Sequence, residues 1–332
     1  MVFLLFIRFY YLIAKLSTIY LLYISLKLFI IHDLNIMIRK PTVSGLFYEN
    51  NSDNLKKSIE NCFRHELGPG KLPSLNKSTL ESNGELDNFH GNIVGAVVPH
   101  AGYMYSGPIA ANSYYQLVEN GFPDTFIILC PNHTGIANGS ISVFNKGAWN
   151  TPLGNVNIDE TFANHLIADL DIVESDFSAH LNEHSCEVHL PFLQYFSSDF
   201  KILPIVTSIQ SIDLMEKLSE GIARVAKDLK TRISVIASTD LTHYKPKTIA
   251  YKQDALIIDG ISSMDENQLM DVIEKYDISM CGYGPTIATM SISKKLGASK
   301  FISLNYATSG DMINNSQDND PEVVGYLSGI FV

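Results

Sequence analysis

Five short stretches of this sequence carry side chains able to hold a metal or move a proton. They are Pro99-His100-Ala101-Gly102-Tyr103, Cys130-Pro131-Asn132-His133-Thr134-Gly135, Glu183-His184-Ser185-Cys186-Glu187-Val188-His189, Ser238-Thr239-Asp240-Leu241-Thr242-His243-Tyr244 and Cys281-Gly282-Tyr283-Gly284-Pro285. Imidazole and carboxylate together suit borderline divalent ions such as Zn and Fe, and a thiolate moves the preference toward Zn, Cu(I) or softer iron sites. Glycines at 102, 135 and 282 would let backbone approach a ligand closely. Asp240 and His243 are three apart and would share a face if their stretch opens a helix. Each residue also has an ordinary reading. A single histidine is commonly a hydrogen-bonded core residue, Asp240 could cap a helix, and Cys281 could be a small buried hydrophobe. His184, Glu187 and His189 could form a polar network that holds a loop, and their spacing is not HExxH. It is the joint occurrence of these stretches that favours a pocket.

The elements that must position them follow from the apolar runs. Residues 93–99, 125–130, 201–208 and 232–239 are short runs that are apolar on both faces, as in a covered parallel sheet. Amphipathic stretches at 52–67, 106–118, 159–170, 211–229, 265–276 and 284–298 read as helices, the first with Ser52 as its N-cap. Strands alternating with helices predict an α/β fold: a single domain with a central, largely parallel or mixed sheet flanked by helices. Three of the five polar stretches directly follow apolar runs, at the carboxyl ends of strands where open α/β sheets bind ligands. Residues 68–92, rich in Gly, Ser and Asn, read as a long surface loop.

Composition excludes some partners. With 24 Lys and Arg against 35 Asp and Glu, the formal net charge is -11, which argues against a nucleic-acid partner. The four cysteines are widely spaced and form no CxxC pair or small-domain disulfide framework, so a reducing, cytoplasmic setting is expected. Residues 1–36 are an apolar extension interrupted by Arg8, Lys15 and Lys27. Three readings stand open for it: a start that belongs at Met37, a single-pass membrane anchor, or an amphipathic or packed extension. A membrane is a partner only on the second. The domain proper is expected to span 37–332.

From about residue 37 onward the sequence closely resembles the Memo family. The resemblance rests on MIRKPTVSGLFYE, PHAGYMYSGPIAA, PNHTG, EHSCEVHLPFLQ, STDLTHY and CGYGP taken together. It implies a fold similar to the class III extradiol, LigB-type dioxygenases. It also implies a metal held by His100, His133 and Cys281, with Fe(II) expected and Cu or Zn as alternatives. His189, Asp240 and His243 are the implied catalytic groups, and Tyr103, Tyr105, Asn132, Glu187 and Tyr283 the residues expected to line the pocket. The implied function is a non-haem iron or copper oxidoreductase of dioxygenase-like type. Its alternative is a non-catalytic module, descended from such an enzyme, that binds a small molecule or peptide. Metal-dependent hydrolysis is a third reading. The chain departs from these patterns where the dioxygenases have a glutamate as third ligand. Animal family members also continue the cysteine motif with Arg-His-Pro, which here reads Gly282-Tyr283-Gly284-Pro285.

Overall fold

The computed structural model of the protein describes residues 37–74, 93–312 and 320–332. The chain divides into two units, Met1–Ile38 and Arg39–Val332. Only Met37 and Ile38 of the first are among the described residues.

The elements in chain order begin with β1 (Ile38–Arg39), α1 (Ser52–Arg64), β2 (Gly95–Val98), α2 (Tyr103–Glu119), β3 (Thr125–Pro131), β4 (Ile141–Val143), β5 (Ala148–Thr151) and β6 (Gly154–Ile158). Next come α3 (Glu160–Asp169), β7 (Val173–Ser175), α4 (Ser178–Leu181), a 3-10 turn (Glu187–His189), α5 (Leu190–Phe196), β8 (Lys201–Thr207), α6 (Ile212–Leu229) and β9 (Ile233–Ser238). The remainder is β10 (His243–Pro246), α7 (Lys247–Ser262), α8 (Glu266–Tyr276), α9 (Tyr283–Lys295), β11 (Phe301–Thr308), α10 (Ser309–Met312) and β12 (Glu322–Phe331).

Strands β6, β8, β3, β9 and β2 lie side by side in parallel, and antiparallel β12 continues the sheet beyond β2. Successive side chains of a strand point to opposite faces, so a strand apolar at every position is buried on both. Strand β3 does this: Ile127 and Leu129 join one core with α3, α6 and α9, while Phe126, Ile128 and Cys130 join another with α1, α2 and α5. This is the α/β domain with a mixed central sheet that the alternation of elements predicted. The spacing of Leu55, Ile59 and Phe63 likewise reports the buried face of α1.

Some expectations are corrected. The N-cap of α1 is Asn51, whose side chain accepts from the N–H groups of Asp53 and Asn54; Ser52 is already helical. The stretch after Ser238 does not open a helix: it passes through irregular backbone with a bend at Thr242 into β10, so Asp240 and His243 do not share a helical face. Cys130 and Cys186 form a disulfide across 56 residues of sequence, while Cys62 and Cys281 are free. Widely spaced cysteines do not exclude a bridge once the end of β3 packs against the 183–189 segment, and the argument for a reducing compartment loses its ground. Among the described residues no helix is long and apolar enough to cross a membrane. The apolar segment 1–36, on which the membrane-anchor expectation rested, lies outside those residues.

Candidate metal centre

The parallel strands end on one side, and the ends of β2 and β3 each deliver a histidine two residues later. His100 follows Val98, and His133 follows Pro131. A third, His184, comes from the connection between α4 and the 3-10 turn. Ligand atoms of these three residues lie within 4.8 Å of one another, the one such cluster of three or more metal-ligand side chains among the described residues. The His133 and His184 rings stack with centroids 4.7 Å apart, and the His100 ring meets both edge-on.

The surroundings fix which nitrogens are bare. Ser238 Oγ donates to the carbonyl of Ser185 at 2.7 Å and lies 2.7 Å from His100 Nδ1. The hydroxyl proton is committed to Ser185, so Ser238 must accept from Nδ1–H, which leaves His100 Nε2 unprotonated, with Cys281 Sγ 3.3 Å away. His133 Nδ1 donates to Glu183 Oε1 at 2.9 Å, which frees its Nε2 in the same way. His184 Nδ1 lies 3.5 Å from the same carboxylate oxygen. A buried carboxylate behind a ligating histidine is the usual outer support of a metal site, because it sets tautomer and ring orientation. Glu183 also accepts the His133 backbone N–H and both the N–H and hydroxyl of Ser185. Burial pushes its pKa up, but the His133 hydrogen bond and the neighbouring donors overcome this and hold it near 2. Burial above all holds His184 down to about 4 and His100 well below the ordinary histidine range. The imidazoles at 100 and 184 are therefore neutral at pH 7, the form that binds metal.

The third ligand expected from the sequence is corrected: the cluster is His100, His133 and His184, not His100, His133 and Cys281. Cys281 Sγ does touch His100 Nε2 at 3.3 Å. Its sulfur also accepts the Asp240 backbone N–H at 3.3 Å and sits 3.5 Å from the Asp240 carbonyl. Burial and the adjacent Asp240 push the thiol pKa far up in the metal-free site. Gly282 lets this segment lie against the end of β9, since a Cβ there would come within 2.4 Å of the Ser238 carbonyl. The close approach is to backbone, not to a ligand.

Asp240 stands beside the cluster. One oxygen accepts the His100 backbone N–H at 2.9 Å, and the other lies 3.9 Å from His100 Nε2. Burial raises its pKa to about 6 against the opposing pull of the His100 N–H, His243 and His133. His243 is held by its Nδ1 on the Ser279 carbonyl at 2.8 Å, which leaves its Nε2 as an acceptor. His189 is fully buried, with Nδ1 2.5 Å from the Tyr114 hydroxyl. Asn132 is half-buried and donates to Ser208 Oγ. Tyr105 packs near Ile109, Ala307 and Tyr326, and Tyr283 sits at the start of α9 against the larger core. Tyr103 donates to the Val188 carbonyl and lines a separate cleft of about 390 Å³ with Leu46, Phe47, Met104 and Met312. Glu187 is wholly buried and bound to Arg39.

Buried neutral histidines make the metal-free fold acid-sensitive. His180 and His189 are held near pKa 3 by burial, and His184 near 4. When unfolded, each would take a proton below about pH 6.5. Stability is therefore complete above that pH and is lost as pH falls toward the folded values. Asp240, raised to about 6 by burial, works in the opposite sense between about pH 4 and 6, as does Asp254, also raised by burial, but the depressed histidines outnumber them. Urea unfolding of the chelated protein should show a loss of about 2 kcal/mol or more between pH 7.5 and 5. An equal or higher midpoint at pH 5 would contradict the neutral assignment.

The fold is a single α/β domain with a mixed central sheet, broadly resembling the class III extradiol-dioxygenase fold, and its site is a histidine cluster able to coordinate a metal. The chain belongs to the Memo family, since the family model for Memo-like protein matches residues 39–330. A MEMO1 family protein of Methanobrevibacter smithii is 48% identical over 297 residues, covering 89% of this chain and 100% of the relative. One from Sulfolobus acidocaldarius is 46% identical, covering 88% and 98%. The crystal structure of an uncharacterized protein from Escherichia coli K12 superposes with a TM-score of 0.50 at 12% identity, over 73% of this chain and all of that one. That likeness concerns the fold alone.

Proposed function

We propose that the protein is a metal-dependent enzyme with one divalent ion held by His100, His133 and His184. Asp240 would be the proton-transfer group beside it. The observation that carries this is the convergence of three imidazoles with Glu183 behind them. The donor set fits a borderline divalent ion, because three imidazoles converge and the Nδ1 atoms of His100 and His133 are already taken up by Ser238 and Glu183. When bound, such an ion supplies Lewis acidity, lowering the pKa of a water or substrate hydroxyl placed on its open side.

The chain's own groups do the rest. Asp240, with its pKa near 6, can accept a proton from that hydroxyl near neutral pH and return it later. Its backbone-bound oxygen keeps the other directed toward His100 Nε2. His243 Nε2 offers a second acceptor, with the ring fixed through Ser279. The partly exposed faces of His133 and His184 mark the side from which a small molecule with an oxygen donor would enter. Fe(II) and Zn(II) both suit three imidazoles. The likeness of the fold to the extradiol type favours Fe(II), and with it dioxygen chemistry. Zn(II) would direct the site to hydrolysis.

Elemental analysis tests this. Full-length protein purified anaerobically without chelator or nickel resin should carry about one equivalent of Fe or Zn. Dioxygen uptake with hydroxylated aromatics then tests the iron reading, and ester hydrolysis the zinc reading. Folded protein that neither carries nor takes up either metal would overturn the proposal.

A further inference from the structure

The loop Arg39–Tyr48 comes from the far end of the sequence, yet it is fastened to the segment that carries His184. Arg39 is 2% exposed and reaches that segment with three different nitrogens. Nε donates to the His180 carbonyl at 2.7 Å, Nη2 to the Glu183 carbonyl at 2.8 Å, and Nη1 to Glu187 Oε2 at 2.5 Å. The Glu183 carbonyl belongs to the peptide that joins Glu183 to His184. The guanidinium lies 4.1 Å from the Trp149 ring centroid, which holds its plane. Glu187 gathers the other end of the loop, accepting from Thr42 N–H, Val43 N–H and Tyr48 O–H.

The loop then returns to the site itself. The Phe47 carbonyl accepts the Tyr103 N–H at 2.8 Å, three residues beyond His100. The Phe47 ring lies against the His184 imidazole with centroids 4.9 Å apart. Of the three clustered histidines, His184 has the weakest polar tether shown, a 3.5 Å approach to Glu183. Its orientation therefore depends on what packs on it and on the peptide it hangs from.

We propose that Arg39 and Phe47 are positioning residues of the three-histidine centre, a role that rests on the metal-site reading above. Arg39 holds the peptide from which His184 projects, and Phe47 holds its ring. Neither touches the ion or the substrate. Lysine at 39 keeps the charge but cannot span two carbonyls and a carboxylate.

Cobalt(II) serves as the probe, because its visible bands report ligand geometry. In full-length protein, Phe47→Ala should weaken Co(II) binding about tenfold and alter the band shape, while Phe47→Tyr, which keeps the ring face, should restore both. Arg39→Lys should do the same as Phe47→Ala if it folds. Phe47 is half-buried in a loop, so its variant keeps the test open if Arg39→Lys does not fold. A metal-free readout runs in parallel: the rate at which diethyl pyrocarbonate modifies His184, read by peptide mapping, should rise severalfold in Phe47→Ala and not in Phe47→Tyr. Unchanged Co(II) spectra, affinity and His184 reactivity in Phe47→Ala would overturn the inference. If wild type bound no Co(II) but His184 reactivity still rose, the metal reading would fall while the positioning role stood.

Discussion

His184→Ala should abolish stoichiometric metal binding, whereas Cys281→Ala should leave it within about threefold of wild type. This pair of variants separates the two possible ligand sets. Removing one of three imidazoles leaves the ion with two, and affinity should fall by at least about a hundredfold. Removing the Cys281 thiol takes away a neighbour outside the three-histidine cluster, whose sulfur is engaged with the Asp240 backbone. Glu183→Gln should sit between them, at about 10- to 100-fold weaker, since the amide still orients His133 but carries no charge. Competition with a colorimetric chelator measures all three. Metal lost in Cys281→Ala and kept in His184→Ala would reverse the assignment.

The second large effect concerns stability. Arg39→Ala and Glu187→Ala should each cost about 3–5 kcal/mol, because each leaves a fully buried charge without its partner. Replacing both by apolar residues often recovers the loss in a simple buried pair. Here it should not. Glu187 also accepts from Thr42, Val43 and Tyr48, and the buried Val43 and Tyr48 donors would remain unbonded at about 1–3 kcal/mol each. Urea denaturation of the two single variants and of Arg39→Met with Glu187→Leu checks this. A double variant as stable as wild type would show that the network is dispensable.

Much of the fold could be read because the parallel strands are apolar on both faces and the helices are amphipathic. His100 and His133 were legible for the same reason: each stands just beyond such a strand. His184 was harder. It follows no strand, and in sequence the Glu183–His189 stretch reads equally well as a polar network holding a loop. Both readings turn out to apply to different residues: His184 faces the cluster, while Glu187 belongs to the network behind it. The density of titratable residues at 183, 184, 187 and 189 was the available signal, but only the chain's path between α4 and α5 tells which of them turn inward. Cys281 misled because it truly is adjacent, at 3.3 Å from His100 Nε2. What sequence hid was its bonding to Asp240. The Cys130–Cys186 bridge and the Arg39–Glu187 pair span 56 and 148 positions, separations at which local spacing carries no information.

That bridge reaches beyond the folded state. His133 and His184 both lie inside the loop it closes, three residues from one sulfur and two from the other. A denatured chain with the bridge intact would therefore still hold two imidazoles at high effective concentration, as a floppy chelate. A ligand stabilises a fold only by as much as it prefers the folded over the unfolded chain. Covalent closure thus narrows the protection that a metal can confer against unfolding, while hastening its recapture when the chain refolds.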